Sequence, residues 1–362
     1  MRAELTGTGG PQGWPQPGCH CASCRRAGSS WASGGGGASG SSSRRPAEVL
    51  VDGVLRLSGG QPPRPAPGYQ VRSIPGGWDI SGPAGRMLWS SGPGSAPDPP
   101  PDAGRYDIAL LDLIDDPGQL GRMRRRGLVD GETAVAAVHA DHRVSSPAEL
   151  ARRCGFWGVT PACDGDVLTA PGGDTGGGGA AGHPGLVPVS RTLVLGGARS
   201  GKSTEAELRL AAEPEVSYVA AAGPGDGDPG WAERVAAHRA RRPAWWRTVE
   251  TTDVAAALRA AGGAVLLDGV GGWLAATMDA CGSWESGPDG RLQRLTDDLV
   301  TAWRDCPARV VAVSEETGLG VVPATSAGVM FRDQLGTLNQ RLAAEADETV
   351  IVIAGRVLTL PA

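Results

Sequence analysis

The stretch that most restricts the fold begins at Leu193. The apolar triplet Leu193-Val194-Leu195 runs directly into Gly196-Gly197-Ala198-Arg199-Ser200-Gly201-Lys202-Ser203, and a helical stretch starts near Gly201. A strand, a glycine-rich loop and a helix in that order gather backbone N–H groups around an anion, and the octapeptide fits G-x-x-x-x-G-K-[ST]. Lys202 is the one lysine among 34 Lys+Arg residues. An ammonium is a compact point charge that fits between phosphates, where a guanidinium fork is too broad. The expectation is that Gly196, Gly197, Ala198, Arg199, Ser200, Gly201, Lys202 and Ser203 hold a nucleoside triphosphate, with Lys202 bridging phosphates and Ser203 ligating Mg²⁺. The alternative is a chance match in a chain of 57 glycines.

The residues after the loop extend the pattern. Thr192–Leu195, Ser217–Ala221, Val265–Leu267, Val310–Val313 and Thr349–Ile353 read as strands. Residues 201–212, 229–241, 252–261, 290–305 and about 326–346 read as helices. This alternation predicts an α/β domain whose mostly parallel sheet is covered on both faces, with the last strand turning back at Ala354-Gly355. Val265-Leu266-Leu267 ends on Asp268, which is placed to bind Mg²⁺; the alternative is a cap or turn residue.

Asp228-Pro229 predicts the start of a helix carrying Arg234 and His238, four apart and so on one face, followed by Arg239, Arg241 and Arg242. Neighbouring positive charge keeps an imidazole neutral and nucleophilic, and would neutralise a phosphate attached to it. The alternative is a solvated basic helix with an incidental histidine.

Glycine-rich breaks occur at about 28–43 and 171–190. The second reads as a linker between residues 1–170 and 191–362. In the first part, Asp52-Gly53 between Val49–Val51 and Val54–Leu57 predicts a hairpin. Ile108–Leu113 and Ala134–Val138 read as strands, and much of residues 60–104 reads as loosely ordered. Cys19, Cys21 and Cys24 form C-x-C-x₂-C, which suits a tetrahedral zinc short of one ligand that His142 could supply; the alternative is a flexible head with free thiols. Cys154, Cys163, Cys281 and Cys306 read as ordinary buried thiols. A formal charge of −5 argues against general attraction to nucleic acid. Without a bilayer-length apolar run or a signal-peptide core, a cytoplasmic protein is expected.

Residues 191–362 resemble the bifunctional adenosylcobinamide kinase / adenosylcobinamide-phosphate guanylyltransferase family. The matching stretches, in family order, are GGARSGKS (196–203), YVAAA (218–222), RVAAHRARRPAWWRTVE (234–250), LLDG (266–269), VSEETGLGVVP (313–323) and FRDQLGTLNQRLAAEAD (331–347). The resemblance implies a RecA-like P-loop fold, a homotrimer, and use of ATP or GTP with Mg²⁺. It implies phosphorylation of adenosylcobinamide, then transfer of GMP from GTP to adenosylcobinamide phosphate through a guanylylated histidine. His238 matches the nucleophile. Ala220, Ala221, Ala222, Arg239, Ala240, Arg241, Arg242, Glu250 and Asp268 match nucleotide-contact positions. Departures from the family pattern are Ala221 for Thr, Gly230-Trp231 for Glu-Met, Glu315 for Asn, and Asp268 for the Glu of some members. The runner-up is a nucleotide-binding regulatory or scaffold protein that retains the P-loop but has lost one or both activities.

Residues 7–27 are similar to the start of metallo-β-lactamase-fold phosphodiesterases, in which three such cysteines and a histidine, matched by His142, hold a structural zinc. His139 matches a ligand of that family's separate catalytic metals, but no H-x-H-x-D-H occurs, and five histidines are too few and scattered for a dinuclear site. A shortened metallo-β-lactamase-like α+β module without hydrolase activity is expected ahead of the P-loop domain.

Overall fold

The computed structural model describes residues 1–29, 43–59, 62–64, 66–170, 190–221 and 242–361. They divide into two compact units, Met1–Pro184 with Ala211–Pro214, and Gly185–Leu210 with Glu215–Ala362.

The first unit is built on two sheets. Strands β1 (Arg2–Gly7), β2 (Glu48–Val51), β3 (Leu55–Ser58) and β10 (Val167–Thr169) form an antiparallel sheet in the order β10-β1-β2-β3. Asp52 and Gly53 turn β2 into β3 with φ of 49° and 75°, the left-handed pair that a two-residue hairpin requires. The second sheet runs β4 (Gln70–Ile74), β5 (Gly77–Gly82), β6 (Gly85–Ser90), β7 (Ile108–Leu111), β8 (Ala134–Ala137) and β9 (Thr160–Pro161). Its first three strands are antiparallel and its last four parallel. Ala3, Leu5, Val49 and Leu57 of the first sheet share one core with Ile80, Met87, Trp89 and Leu110 of the second. Helices α1 (Ala22–Ser29), α2 (Gly118–Arg125) and α3 (Pro147–Trp157) complete the unit.

The expectation of loose order over 60–104 is corrected by β4–β6. Pro75-Gly76 and Pro83-Ala84 form the turns between these strands, while Ile80, Met87 and Trp89 are buried. Gly77 is needed because a Cβ there would press on the Trp89 carbonyl oxygen. Cys163 is exposed rather than buried, and Cys281 is only partly covered; Cys154 and Cys306 are buried.

The second unit holds one seven-stranded sheet among the described residues. In chain order its strands are β11 (Arg191–Gly196), β12 (Val216–Ala220), β13 (Arg247–Glu250), β14 (Ala264–Asp268), β15 (Val310–Glu315), β16 (Glu348–Ile353) and β17 (Arg356–Leu360). They lie in the order β13-β12-β14-β15-β11-β16-β17, parallel except for β17. Helix α4 (Lys202–Leu210) covers one face, where Ala206 and Leu210 meet Val194, Leu266 and Val313. The other face carries α5 (Val254–Arg259), α6 (Val270–Cys281), α8 (Gly290–Arg304) and α9 (Ser326–Ala344), with Leu258, Leu274, Trp303 and Leu338 packed on Leu193, Leu267 and Ala312. A single turn, α7 (Ser283–Ser286), joins α6 to α8. No helix of the described residues is long and apolar enough to cross a membrane.

Candidate active site and cysteine cluster

Parallel strands deliver their last residues to one edge of the sheet, where ligands of such folds sit. Here the register aligns Gly196 with Glu315, Ala220 with Glu250, and Ala220 with Asp268. Gly196, Ala220, Glu250, Asp268 and Glu315 are thereby gathered at the C-terminal ends of five strands.

The loop between β11 and α4 is held tightly. Gly196 has no room for a side chain, since a Cβ would lie 2.5 Å from Ser200 Oγ and 2.8 Å from the Val352 carbonyl oxygen. Arg199 and Gly201 turn the chain with φ of 55° and 101°. The Ser200 carbonyl accepts from Gly355 N–H at 2.8 Å, and Gly201 O accepts from Glu205 N–H at 3.0 Å as α4 begins. Lys202 folds back over this loop. Its Nζ donates to Gly197 O at 3.3 Å and lies 3.8 Å from Glu315 Oε1.

Asp268 closes β14 and accepts a hydrogen bond at Oδ2 from the hydroxyl of Tyr218 on β12. Burial, then the adjacent Asp268 charge, raises the Tyr218 hydroxyl well above the usual tyrosine range, so it stays a donor. The Arg242 guanidinium lies 3.4 Å from the centroid of the Tyr218 ring, a cation–π contact. A hydroxyl at Ser203 and a carboxylate at Asp268 are the hard oxygen donors that Mg²⁺ takes alongside phosphates. Ala222, His238, Arg239, Ala240 and Arg241 lie outside the described residues. Tyr218 is a site residue that the sequence did not reveal, its signal a faint one: a polar group in an apolar strand. Glu315, noted in the sequence as a departure from the family pattern, stands beside the phosphate loop.

The second constellation lies in the first unit. Cys19 and Cys21 precede α1, Cys24 lies in its first turn, and His142 follows β8. One ligand atom from each lies within 4.8 Å of the others. His142 Nδ1 is 3.8 Å from Cys19 Sγ and 4.0 Å from Cys24 Sγ. Tetrahedral zinc, with Zn–S of about 2.3 Å and Zn–N of about 2.0 Å, sets such atoms about 3.5–3.8 Å apart, so this donor set fits the ion after slight contraction. Backbone N–H groups of Gln16 and Cys24 point at Cys24 Sγ and Cys21 Sγ, each at 3.4 Å. Ser23 Oγ donates to Val144 O at 2.6 Å and accepts from Trp14 Nε1 at 3.2 Å, pinning α1 to the His142 segment. Burial pushes the Cys24 thiol up to about 11.

His139 is not part of this cluster. It is buried, with Nε2 2.9 Å from Ser90 O and its ring edge-on to Trp89. The carboxylates that act on it, Asp112 and Asp141, are both bound by the Arg143 guanidinium, which also binds Asp115.

A sequence profile described as cobinamide kinase / cobinamide phosphate guanyltransferase matches residues 192–360. The bifunctional adenosylcobalamin biosynthesis protein CobP of Pseudomonas aeruginosa is 43% identical over 171 residues, 46% of this chain and 94% of that protein. The chain belongs to this family.

Two further relatives are each named bifunctional adenosylcobalamin biosynthesis protein CobU. The one from Salmonella typhimurium is 39% identical over 176 residues (45% of this chain, 95% of it), and the one from Escherichia coli is 35% identical over 174 (45% and 95%). As a member of this enzyme family, the chain carries the family match in residues 192–360, which hold, Arg191 aside, every strand of the second unit's sheet. The phosphate loop, Asp268, Glu250 and Glu315 all lie inside the matched residues; the cysteine cluster lies outside them.

Proposed function

We propose that residues 191–362 form a RecA-like P-loop domain that carries out both steps for which the family is named, on adenosylcobinamide and its phosphate. In the first step the aminopropanol hydroxyl oxygen attacks the γ-phosphorus of ATP or GTP. The γ-phosphorus–oxygen bond breaks, the nucleoside diphosphate leaves, and the hydroxyl proton is released. In the second, an imidazole nitrogen of His238 attacks the α-phosphorus of GTP and pyrophosphate leaves. The phosphate oxygen of adenosylcobinamide phosphate then attacks that phosphorus, the P–N bond breaks, and adenosyl-GDP-cobinamide forms.

The observation that carries this reading is the alignment of Gly196, Ala220, Glu250 and Asp268 on one sheet edge beside Lys202. The loop N–H groups and Lys202 orient the phosphates and stabilise charge that grows on them in both displacements. Ser203 and Asp268 would hold Mg²⁺, which would supply further neutralisation of phosphate charge. Arg239, Arg241 and Arg242 serve the same charge around His238.

Residues 1–170 are proposed as a structural module in which Cys19, Cys21, Cys24 and His142 hold zinc. Its likeness to a shortened metallo-β-lactamase fold rests on those residues and their spacing. A homotrimer of the second domain and a cytoplasmic location complete the proposal.

The test is covalent labelling. With Mg²⁺, α-labelled GTP should leave acid-labile label on the protein, γ-labelled GTP should not, and His238→Ala should abolish it. Transfer of γ-label to adenosylcobinamide should be lost in Lys202→Ala. Nucleotide binding with neither transfer would favour the regulatory or scaffold reading.

A further inference from the structure

Glu315 ends β15 in register with Gly196, the residue that opens the phosphate loop. Its backbone is fixed from both sides. The next residue, Glu316, donates its N–H to Gly196 O at 3.2 Å. Asn339 Nδ2, on α9, donates to the Glu315 carbonyl at 3.0 Å, and Ser314 Oγ donates to Asn339 Oδ1 at 2.6 Å.

The carboxylate is divided between two surroundings. Oε2 is buried, has no hydrogen-bond partner among the described residues, and packs over Gly271, where a side chain would collide with it. Gly271 lies in the first turn of α6, so the carboxylate sits at that helix's N-terminal end. Oε1 faces the other way and lies 3.8 Å from Lys202 Nζ. The lysine side chain is only 13% exposed and also donates to Gly197 O. The ammonium of the chain's one lysine is therefore held between its own loop and a carboxylate that the sheet keeps in place.

We propose that Glu315 is a resident counter-charge of the phosphate loop. It orients Lys202 before nucleotide arrives, and phosphate oxygens must displace it to claim the ammonium. Its charge then stays beside the bound phosphates. A triphosphate alone carries about two more negative charges than its Mg²⁺ complex, so the carboxylate opposes the free anion more strongly. Glu315 thus positions Lys202 and makes triphosphate binding depend on the divalent cation. This inference rests on the reading of residues 196–203 as a triphosphate site.

GTP titrations by calorimetry, in Mg²⁺ and in EDTA, test it on the full chain. Glu315→Gln should tighten binding in EDTA by roughly tenfold and in Mg²⁺ by roughly threefold, so the ratio of the two dissociation constants falls. Glu315→Asp keeps the charge and should keep the ratio near wild type. Melting curves establish that both variants fold. An unchanged ratio in Glu315→Gln, or weaker binding in both conditions, overturns the inference while leaving the triphosphate site standing. Failure of wild-type protein to bind GTP even with Mg²⁺ overturns both.

Discussion

Tyr218 donates its hydroxyl to Oδ2 of Asp268 across neighbouring parallel strands, and Arg242 stacks on the face of the same ring. The tyrosine therefore fixes the orientation of the carboxylate proposed to hold Mg²⁺. It also meets the first described residue after the segment that contains His238.

Tyr218→Phe removes that donor while keeping the ring under Arg242. Groups that orient a metal-binding carboxylate typically change metal affinity by about tenfold or more when removed. The Mg²⁺ concentration needed for half-maximal GTP binding should rise accordingly, with a loss of about 1 kcal/mol in stability. Because the hydroxyl is held well above the ordinary tyrosine range, the difference between variant and wild type should be the same at pH 6.5 and pH 8.5. Equal Mg²⁺ dependence in the two proteins would show that Tyr218 acts on packing alone.

Gly196→Ala tests the tightness of the loop. The new methyl would meet the Val352 carbonyl oxygen at 2.8 Å, and a strand carbonyl has nowhere to go. We expect a cost of about 1–3 kcal/mol, typical of forced overpacking, and at least about a tenfold loss of GTP affinity as the loop opens. Denaturant melts and a GTP titration measure the two effects.

Parts of this arrangement could be read directly from sequence and parts could not. The strand, loop and helix from Thr192 to Leu210 are contiguous, so a local pattern sufficed. The same is true of the Asp52-Gly53 hairpin. Helix α6 escaped because Gly271-Gly272 interrupts a run whose residues are apolar on nearly all sides, leaving no amphipathic period. Strand β13 escaped because its side chains are largely exposed at the sheet edge, so nothing alternates. The pairings of Tyr218 with Asp268 and Glu315 with Lys202 depend on strand register, which joins positions 50 and 113 residues apart and leaves no trace in either segment. Cys24 and His142 are 118 residues apart and were joined by the missing fourth ligand of a three-cysteine zinc site and by resemblance to a known family.

Zinc should co-purify with the full chain at about one ion per molecule, as the Cys₃His donor set fits a closed tetrahedral site. Cys24→Ser, at the buried corner of the cluster, should abolish it. Because metal affinity contributes directly to folding, a strong chelator should lower the melting temperature of wild type and leave that of Cys24→Ser unchanged. Elemental analysis and melting curves give both results. Wild-type protein without zinc would mean that these thiols serve packing only.

The helix α3 carries a pH-dependent contribution that can be isolated. Ser146 caps it by accepting from Glu149 N–H at 3.1 Å, and the Glu149 carboxylate is gripped by Arg152 and Arg153 at 2.8 Å each. Burial alone would raise the Glu149 pKa, but the two guanidinium groups outweigh it and hold the carboxyl below the usual range. A carboxylate depressed in the folded state binds fewer protons there than in the unfolded chain. Its contribution is therefore complete above the unfolded value, near 4.3, and is lost as pH falls through the folded value. Glu149→Gln should cost about 1 kcal/mol at pH 7, after allowance for solvent screening. The gap between variant and wild type should narrow below about pH 4 and vanish once Glu149 is protonated in both states. Urea melts from pH 7 down to pH 3 measure it, and a gap that stays constant across that range would show that the arginines do not act through the charge of Glu149.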